Sequence, residues 1–374
     1  MRTTISLAGL AMCLTLSATP VSAGTESPWH LYQAPVAGQA TLDAAVSPGR
    51  QDAWAAGFTI ASSSTGTGSS SCFDVGFLDS LMLHWNGRTW QRVTVPDLGR
   101  INNMSAASPA DVWASADCGL LHWNGKHWAV SSYPVPKDAQ QPAPGNIVAD
   151  QPDDAWLLGS TYDAATQVAG EFVDHWNGRV WRLMPLPDLG TDATLDAVDA
   201  RGPDDVWVAG TASTSDQPDQ FLLLHWNGHS WQQSRQPSTG MWTKFVTGVT
   251  MLSADDVWVV GWGKTAPAGD EPRHPIALHW DGRNWTNTAV PSGRGEVYQM
   301  VQDDGDLWAV GDTYSPTATT YTMDMLRWTG NRWVNSAVPV SGEGSLFSAA
   351  PVPDGGMWVV GATGSNAPVI ARRR

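Results

Sequence analysis

The chain has 374 residues, of which 22 are tryptophan, and its 36 acidic residues outnumber 21 basic residues to give a formal net charge of −15 at pH 7. An acidic chain lacks the positive field with which proteins bind nucleic acid or an anionic membrane surface. We therefore expect neither of these partners.

The chain begins with the pattern of a secretory signal peptide. Residues 1–23 contain Arg2, an apolar run from Ile5 to Leu16, and Val21-Ser22-Ala23 as a small-x-small cleavage site. The apolar run is shorter than the roughly 20 residues that a membrane-spanning helix needs. The sequence thus predicts a secreted, extracellular protein whose residues 24–374 form one domain.

Three tryptophan signatures then recur to the C-terminus. In the first, a tryptophan follows turn-forming residues and opens a strand: Trp54, Trp113, Trp156, Trp207, Trp258, Trp308 and Trp358. In the second, His-Trp or Arg-Trp precedes a glycine turn: Trp85, Trp123, Trp176, Trp226, Trp280 and Trp328. In the third, proline follows tryptophan after six residues: Trp29/Pro35, Trp90/Pro96, Trp128/Pro134, Trp181/Pro187, Trp231/Pro237, Trp285/Pro291 and Trp333/Pro339.

The offset between these signatures predicts a closed ring. The chain opens with a lone copy of the third signature and ends after a unit that lacks it. We therefore predict an all-β, seven-bladed β-propeller with four-stranded blades, closed by pairing the N-terminal strand with the last blade. The predicted blades cover residues 36–96, 97–134, 135–187, 188–237, 238–291, 292–339, and 340–374 together with 24–35.

The repeat pattern resembles a known family of propellers. Three features look like the Trp-rich repeats of secreted bacterial proteins that are grouped with kelch and galactose-oxidase-type propellers. They are the strand Val206-Trp207-Val208-Ala209-Gly210, the hairpin Leu224-His225-Trp226-Asn227-Gly228 and the spacing from Trp231 to Pro237. The double glycine typical of kelch strands occurs only at Gly355-Gly356, ahead of its strand. The resemblance implies the fold but no single activity, because such propellers include lectins, scaffolds and several classes of enzyme.

Most of the chemically distinctive residues belong to the repeat itself. Histidine precedes the second tryptophan in five repeats, at His84, His122, His175, His225 and His279. Because a ring separates these histidines by one blade each, we expect a structural role and predict no metal site and no cofactor. The twenty repeat tryptophans are expected to be core residues between blades.

Two tryptophans, Trp242 and Trp262, stand outside the repeat pattern. We expect them side by side on one face of the propeller, because the connection entering blade 5 and the loop after its second strand emerge together. The polar and aromatic residues of the neighbouring loops complete the predicted ligand site: Lys244, His274, Arg294, Glu296 and Tyr298. Such a mixture suits stacking on a sugar ring and hydrogen bonding to its hydroxyls.

Removal of the signal peptide would leave two cysteines, Cys72 and Cys118, in an oxidising compartment. Both lie between the first and second tryptophan signatures of neighbouring blades. We predict a disulfide between them, with a free thiol as the alternative.

The sequence leaves three functional hypotheses open. The first is a monomeric, non-catalytic binding module that recognises an extracellular glycan or protein through the face with the long loops. The second is a carbohydrate-active hydrolase or lyase on the same face, although the inner-strand acids Asp43 and Asp196 fall in blades 1 and 4, across the ring. The third is a protein-interaction scaffold.

Overall fold

The computed structural model describes residues 27–60, 78–190, 192–214, 216–267, 271–291, 293 and 295–373. Within these residues, 28 strands form seven four-stranded antiparallel sheets, and there is no helix that is long and apolar enough to cross a membrane. The predicted seven-bladed β-propeller is therefore confirmed. The predicted signal peptide, residues 1–23, lies outside the described residues.

Each blade follows one plan, in which four strands run in order from the central axis to the rim. Blade 1 contains β2 (Ala40–Gly49), β3 (Asp52–Ile60), β4 (Leu78–Trp85) and β5 (Trp90–Arg92). Blade 2 contains β6 (Ile101–Ser108), β7 (Asp111–Ala116), β8 (Gly119–Trp123) and β9 (Trp128–Ser131). Blade 3 contains β10 (Ala143–Gln151), β11 (Asp154–Asp163), β12 (Val168–Trp176) and β13 (Trp181–Met184).

The second half of the ring repeats this plan. Blade 4 contains β14 (Ala193–Ala200), β15 (Val206–Thr214), β16 (Gln217–Trp226) and β17 (Trp231–Gln233). Blade 5 contains β18 (Thr243–Ser253), β19 (Asp256–Lys264), β20 (His274–Trp280) and β21 (Trp285–Asn287). Blade 6 contains β22 (Gly295–Asp303), β23 (Asp306–Ser315), β24 (Thr320–Trp328) and β25 (Trp333–Asn335).

Blade 7 combines the two ends of the chain, as the repeat offset predicts. Its inner strands are β26 (Gly344–Pro351), β27 (Met357–Thr363) and β28 (Pro368–Arg373), and its outer strand is β1 (Trp29–Tyr32). In the antiparallel register Trp29 pairs with Arg373 and Tyr32 pairs with Ile370. This pairing covers the outer edge of β28, which would otherwise expose unpaired backbone groups.

The outer hairpins use the Asn-Gly pairs differently from the two-residue turn that such pairs favour. In blade 1 the Trp85 and Trp90 strands are joined by four residues, and only Gly87 has a positive φ, of 88°. The side chain of Asn86 instead accepts hydrogen bonds from the backbone N–H groups of Arg88 and Thr89, both at 3.0 Å. Asparagine therefore caps the loop through its side chain, as in an Asx turn.

A β-bulge interrupts the pairing of the innermost strand in every blade. The register shifts between its first and second strands at Leu42/Ala44, Ile101/Asn103, Pro144/Ile147, Leu195/Ala197, Val246/Gly248, Val297/Gln299 and Leu346/Ser348. Glycine on the second strand permits the close approach, because a Cβ atom at Gly210 would lie 1.9 Å from the carbonyl oxygen of Thr194. The bulge re-aims one side chain per blade toward the axis.

The hydrophobic core is divided into seven clusters, one at each junction between neighbouring blades. At six junctions a tryptophan of the first signature meets one of the third edge to face, as Trp207 meets Trp285 with ring centroids 5.2 Å apart. The first-signature rings are almost completely buried. They wedge the blades apart at a fixed angle, as predicted for structural tryptophans.

Polar side chains near the axis also join the blades. At least one hydrogen bond or ion pair of this kind spans each junction around the ring: Arg100 to Asp43, Ile147 N–H to Asn103, Val198 N–H to Asn146, Met251 N–H to Asp199, Thr250 hydroxyl to Met300 C=O, Ala349 N–H to Gln299, and Ala45 N–H to Ser348. The polar residues of the inner strands are therefore used by the fold, because six of these seven contacts satisfy a backbone N–H or C=O group of the neighbouring blade.

Candidate ligand-binding face

The face of the propeller at which the innermost strands begin carries the predicted site, and we call it the upper face. The connection between blades 4 and 5 enters β18 there, and β19 ends there, with Thr243 pairing with Lys264. Five of the predicted site residues lie within the upper ends of their strands: Lys244, Trp262, His274, Glu296 and Tyr298. Trp242 directly precedes β18. Arg294 lies outside the described residues.

Trp262 forms the centre of a stack of side chains. The ring of Phe245 lies parallel to it with centroids 4.0 Å apart and an interplanar angle of 18°. The guanidinium carbon of Arg273 lies 4.3 Å from the centroid of the same indole. Two groups cannot occupy one ring face at these distances, so Trp262 lies between Phe245 and Arg273.

An ion pair extends this stack to blade 6. Arg273 pairs with Glu296, whose side chain is buried, and the carbonyl of Arg273 accepts a hydrogen bond of 2.7 Å from Gly295 N–H. A guanidinium held in this way is both desolvated on one side and fixed in orientation. Within the stack, the aromatic ring presented to solvent is Phe245, which is 46% exposed.

Trp242 and Lys244 lie on the opposite side of blade 5, against blade 4. The ammonium of Lys244 donates to the backbone carbonyls of Asp219 and Met241 and lies 5.7 Å from the centroid of Phe221. Burial lowers the pKa of Lys244, while the charge of Asp219 opposes that shift. Trp242 is partly exposed beside them.

The structure therefore does not place Trp242 and Trp262 side by side. Side chains alternate between the two sides of a strand, and Val246, which shares the side of Lys244, packs in the core between blades 4 and 5. Phe245 projects to the other side and meets Trp262. The predicted site thus divides into two halves, separated by the sheet of blade 5.

His274 and Tyr298 are held by neighbours near the half of the site that contains Trp262. The Nδ1 atom of His274 lies 2.7 Å from the carbonyl oxygen of Gly293. The Tyr298 hydroxyl donates to Asp312 at 2.9 Å, and Ser345 donates to the same carboxylate oxygen at 2.6 Å. Burial and the adjacent Asp312 carboxylate raise the pKa of Tyr298 above its usual value, so this phenol is a neutral donor.

The central channel opens on the upper face through a cavity of about 290 Å³. Six of the seven re-aimed bulge side chains line it: Asp43, Asn102, Asn146, Thr247, Tyr298 and Phe347. The carboxylate of Asp43 forms a bidentate ion pair with the guanidinium of Arg100, with both N–O distances 2.9 Å. A second cavity of about 470 Å³ shares Asn103, Met104, Asn146 and Gln299 and continues along the axis toward the lower face.

Glu171 on β12 and Asp196 on β14 hold their protons unusually tightly. Burial raises the pKa of Glu171 to about 8 and that of Asp196 to about 6. Glu171 accepts a hydrogen bond from Leu195 N–H at 3.2 Å, and Asp196 accepts one from the Thr194 hydroxyl at 3.0 Å. Asp43 and Asp196 belong to different blades, as expected, and Asp43 is committed to Arg100, so these contacts assign structural roles.

The five repeat histidines each stack on the first-signature tryptophan of their own blade, with ring centroids 3.8 to 4.7 Å apart. The Nε2 atom of each lies 2.6 to 3.0 Å from an aspartate at or just before the start of the second strand: Asp52, Asp111, Asp154, Asp205 and Asp256. Among the residues described, no three or more His, Cys, Asp or Glu side chains are grouped to hold a metal ion. Each of these histidines thus contacts a tryptophan ring and an aspartate of its own blade.

Phe245, Arg273 and Asp219 are site residues that the sequence analysis missed. A phenylalanine between Lys244 and Val246 has the pattern of a core strand. Comparison of the repeats would have singled it out, because the positions opposite the equivalent glycines are held by Thr41, Thr194, Glu296 and Ser345 in other blades. A large exposed aromatic residue occupies this position in blade 5 alone of these five.

No protein-family model and no curated protein matches the chain. Solved structures do match it over most of its length. The structure titled "YCF48 bound to D1 peptide" has a TM-score of 0.57 at 13% identity, covering 93% of this chain and 95% of that chain. The extracellular domain of a hybrid two component system from B. thetaiotaomicron has a TM-score of 0.56 at 11% identity, covering 93% and 41%.

An acylaminoacyl peptidase from Pyrococcus horikoshii is similar over 90% of this chain and 52% of its own, with a TM-score of 0.52 at 9% identity. At such low identities these matches show a shared propeller fold and nothing finer.

Proposed function

We propose that this protein is a secreted, non-catalytic binding module that holds a polypeptide on the upper face of the propeller, against Phe245. The observation that carries the proposal is the Phe245–Trp262–Arg273–Glu296 stack, which leaves one large aromatic ring open to solvent. Aromatic residues held rigidly by packing and by charged neighbours are typical anchors of protein interfaces.

The surroundings of Phe245 support a ligand that extends over the axis. Thr247 follows two residues later on β18 and lines the channel mouth together with Tyr298 and Phe347. A polypeptide could place an apolar side chain on Phe245 and continue into this cavity, where backbone amides would find polar partners. The chain's net charge of −15 favours a ligand with basic residues.

The similarity to a propeller whose title names a bound peptide is compatible with this role, since the two chains cover each other almost completely. Export rests on the sequence of residues 1–23 alone. Expression with the native N-terminus in a bacterial host, followed by mass spectrometry of the secreted chain, would show whether cleavage follows Ala23.

Peptide selection tests the proposed function directly. The full chain would be used to select from a displayed library of random peptides, and the affinity of enriched peptides would be measured by calorimetry. We expect Phe245→Ala to weaken binding about tenfold or more, because an anchor residue carries a large share of an interface. Leu183→Ala removes a similarly exposed apolar residue from the rim of blade 3 and should change nothing.

Two results would refute this proposal: failure to enrich any peptide, or peptides that bind the Phe245→Ala variant as tightly as the wild type.

A glycan is the second candidate ligand, and a separate pocket beside Trp242 favours it. The alternative hypothesis of a carbohydrate-active enzyme would be supported if the wild type hydrolysed or cleaved a polysaccharide and a Glu171→Gln or Asp196→Asn variant did not.

A further inference from the structure

A pocket of about 390 Å³ lies between blades 4 and 5 at the upper face. We call it the Trp242 pocket. Besides Trp242 it is lined by Asp219 and Gln220 of β16, Gln236 of the connection between the blades, and Lys244 of β18. The sheet of blade 5 separates it from the Phe245 stack, so it is a second and independent site.

Lys244 supplies the pocket with a buried hydrogen-bond donor. The residue is 6% exposed, and its ammonium donates to two backbone carbonyls, those of Asp219 and Met241. A lysine ammonium carries three N–H groups, so these two acceptors leave one N–H for a ligand. Because the ammonium is held by the backbone on both sides of the pocket, its position is fixed before binding.

The pocket is balanced in charge. The carboxylate of Asp219 accepts a hydrogen bond of 2.9 Å from the backbone N–H of Lys244, and its charge acts on the ammonium. One cation and one anion thus face the same space. A ligand with a net charge would be attracted by one of them and repelled by the other and would gain little, whereas a neutral ligand with both donors and acceptors could hydrogen-bond to both.

The remaining lining supplies hydrogen-bonding groups and one flat apolar wall. Gln220 and Gln236 contribute amides that are bonded to each other, and three hydroxyl residues line the rim: Ser238, Thr239 and Thr265. Trp242 contributes the indole, of which part is exposed. We propose that the Trp242 pocket binds a neutral saccharide, whose ring would lie against the indole and whose hydroxyls would reach Lys244, Asp219 and the glutamines.

The walls of the pocket are already assembled. Gln236 accepts a hydrogen bond of 2.8 Å from Phe221 N–H, which ties the connection between the blades to β16. Asp219 N–H donates to the Trp242 carbonyl at 2.8 Å, and Trp242 N–H donates to the Lys264 carbonyl at 2.7 Å. A preformed site loses little conformational entropy when a ligand binds.

A glycan array followed by calorimetry tests the inference on the full chain. The array would carry neutral and acidic oligosaccharides, and bound neutral glycans would be titrated against the wild type and three variants. Trp242→Ala removes the wall, and we expect it to weaken binding about tenfold or more. Ser238→Trp fills the pocket without removing a contact and should abolish binding, which keeps the test valid if Trp242→Ala fails to fold.

The control is Phe245→Ala, on the other side of the same blade, which should bind the saccharide like the wild type. The inference is overturned if the wild type binds no neutral glycan, if it binds acidic glycans only, or if binding survives in both pocket variants. Saccharide binding at the Trp242 pocket is independent of peptide binding at Phe245. Trp242→Ala and Ser238→Trp test the first, and Phe245→Ala tests the second.

Discussion

Asp174 is a buried carboxyl at a position where other blades have an apolar side chain. It occupies the position before the repeat histidine, where the sequence has Leu83, Leu121, Leu224, Leu278 and Leu326 in other blades. The side chain is fully buried, and neither carboxylate oxygen has a hydrogen-bond partner among the described residues. Burial raises the pKa of Asp174 to about 7. Burial of Tyr133, and secondly the charge of Asp174, raise the pKa of Tyr133 to about 12.

Replacing this carboxyl should stabilise the protein. We expect Asp174→Leu to raise the free energy of unfolding at pH 8 by about 1–3 kcal/mol, because an unpaired buried polar group is replaced by the apolar side chain of the repeat. Urea unfolding would measure the change. Asp174→Asn is the control, since it removes ionisation but retains an unsatisfied polar group, and an equal gain in both variants would assign the effect to charge alone.

The same residue predicts a dependence of stability on pH. The folded-state pKa of about 7 lies above the ordinary value of an aspartate carboxyl, which is about 4, so the folded chain retains a proton that the unfolded chain loses. The contribution of the neutral carboxyl is fully present below about pH 4 and is lost as pH rises to about 7. The gain from Asp174→Leu should therefore grow between these pH values, and a gain that is constant with pH would contradict the assigned burial.

At the scale of the element, the second and third strands of five blades are locked by a tryptophan, a histidine and an aspartate. The histidine covers the indole with its ring and reaches the aspartate with Nε2, so one residue joins the core to the start of the strand. In blade 6 Arg327 replaces the histidine and pairs with Asp306 at 3.2 Å. Arg327 thus supplies the hydrogen-bond donor that histidine supplies in the other five blades.

The cost of removing the histidine should depend on how deeply its aspartate is buried. His175→Ala would leave Asp154, which is 3% exposed, without its partner, and we expect a loss of about 1–3 kcal/mol. In His279→Ala the partner Asp256 is partly solvated and still accepts a hydrogen bond of 3.0 Å from Trp258. A smaller loss is expected there, and equal losses by urea unfolding would assign the stabilisation to ring stacking instead.

The disulfide between Cys72 and Cys118 remains a prediction about the loops of blades 1 and 2. Cys118 lies in the turn between β7 and β8, and Cys72 lies outside the described residues. Mass spectrometry of a non-reduced digest of the chain, purified without reductant, should find the two cysteine-containing peptides joined. Recovery of both peptides as free thiols from oxidised protein would contradict it.

At the scale of the whole molecule, stability depends on closing the ring with a strand of only four residues. The buried Trp29 anchors it, with Nε1 donating to the carbonyl of Ala337 at 2.8 Å, and it packs in the core between blades 6 and 7. Its neighbour Leu31 pairs with the same strand but is 53% exposed. Substituting Trp29 therefore removes side-chain packing from the closing strand, whereas substituting Leu31 leaves both that packing and the backbone pairing in place.

We expect Trp29→Ala to lower the free energy of unfolding by about 3–5 kcal/mol, as for other large core deletions. Leu31→Ala should stay within about 0.5 kcal/mol of the wild type. Loss of the strand would expose the edge of β28, so the Trp29→Ala variant should also aggregate on warming, as light scattering would show. If Trp29→Ala unfolds like the wild type, closure does not depend on this side chain.

The architecture of this protein could be determined from the sequence alone. Each of the first six blades carries three local signals: a turn before a tryptophan, an Asn-Gly or Gly turn, and a proline that follows the outer strand. These signals are readable without knowledge of long-range contacts. The lone signature from Trp29 to Pro35 even determined how the ring closes. The structural use of the histidines also followed, because equivalent positions in a ring lie far apart.

The arrangement of the candidate site was decided only by the tertiary structure. Whether Trp242 and Trp262 meet depends on the pairing of β18 with β19 and on the bulge between Val246 and Gly248, since one residue of shift moves a side chain to the other side of the sheet. The exposure of Phe245 depends on what blade 6 places beside it. Such facts arise from contacts between residues distant in sequence, and no local pattern contains them.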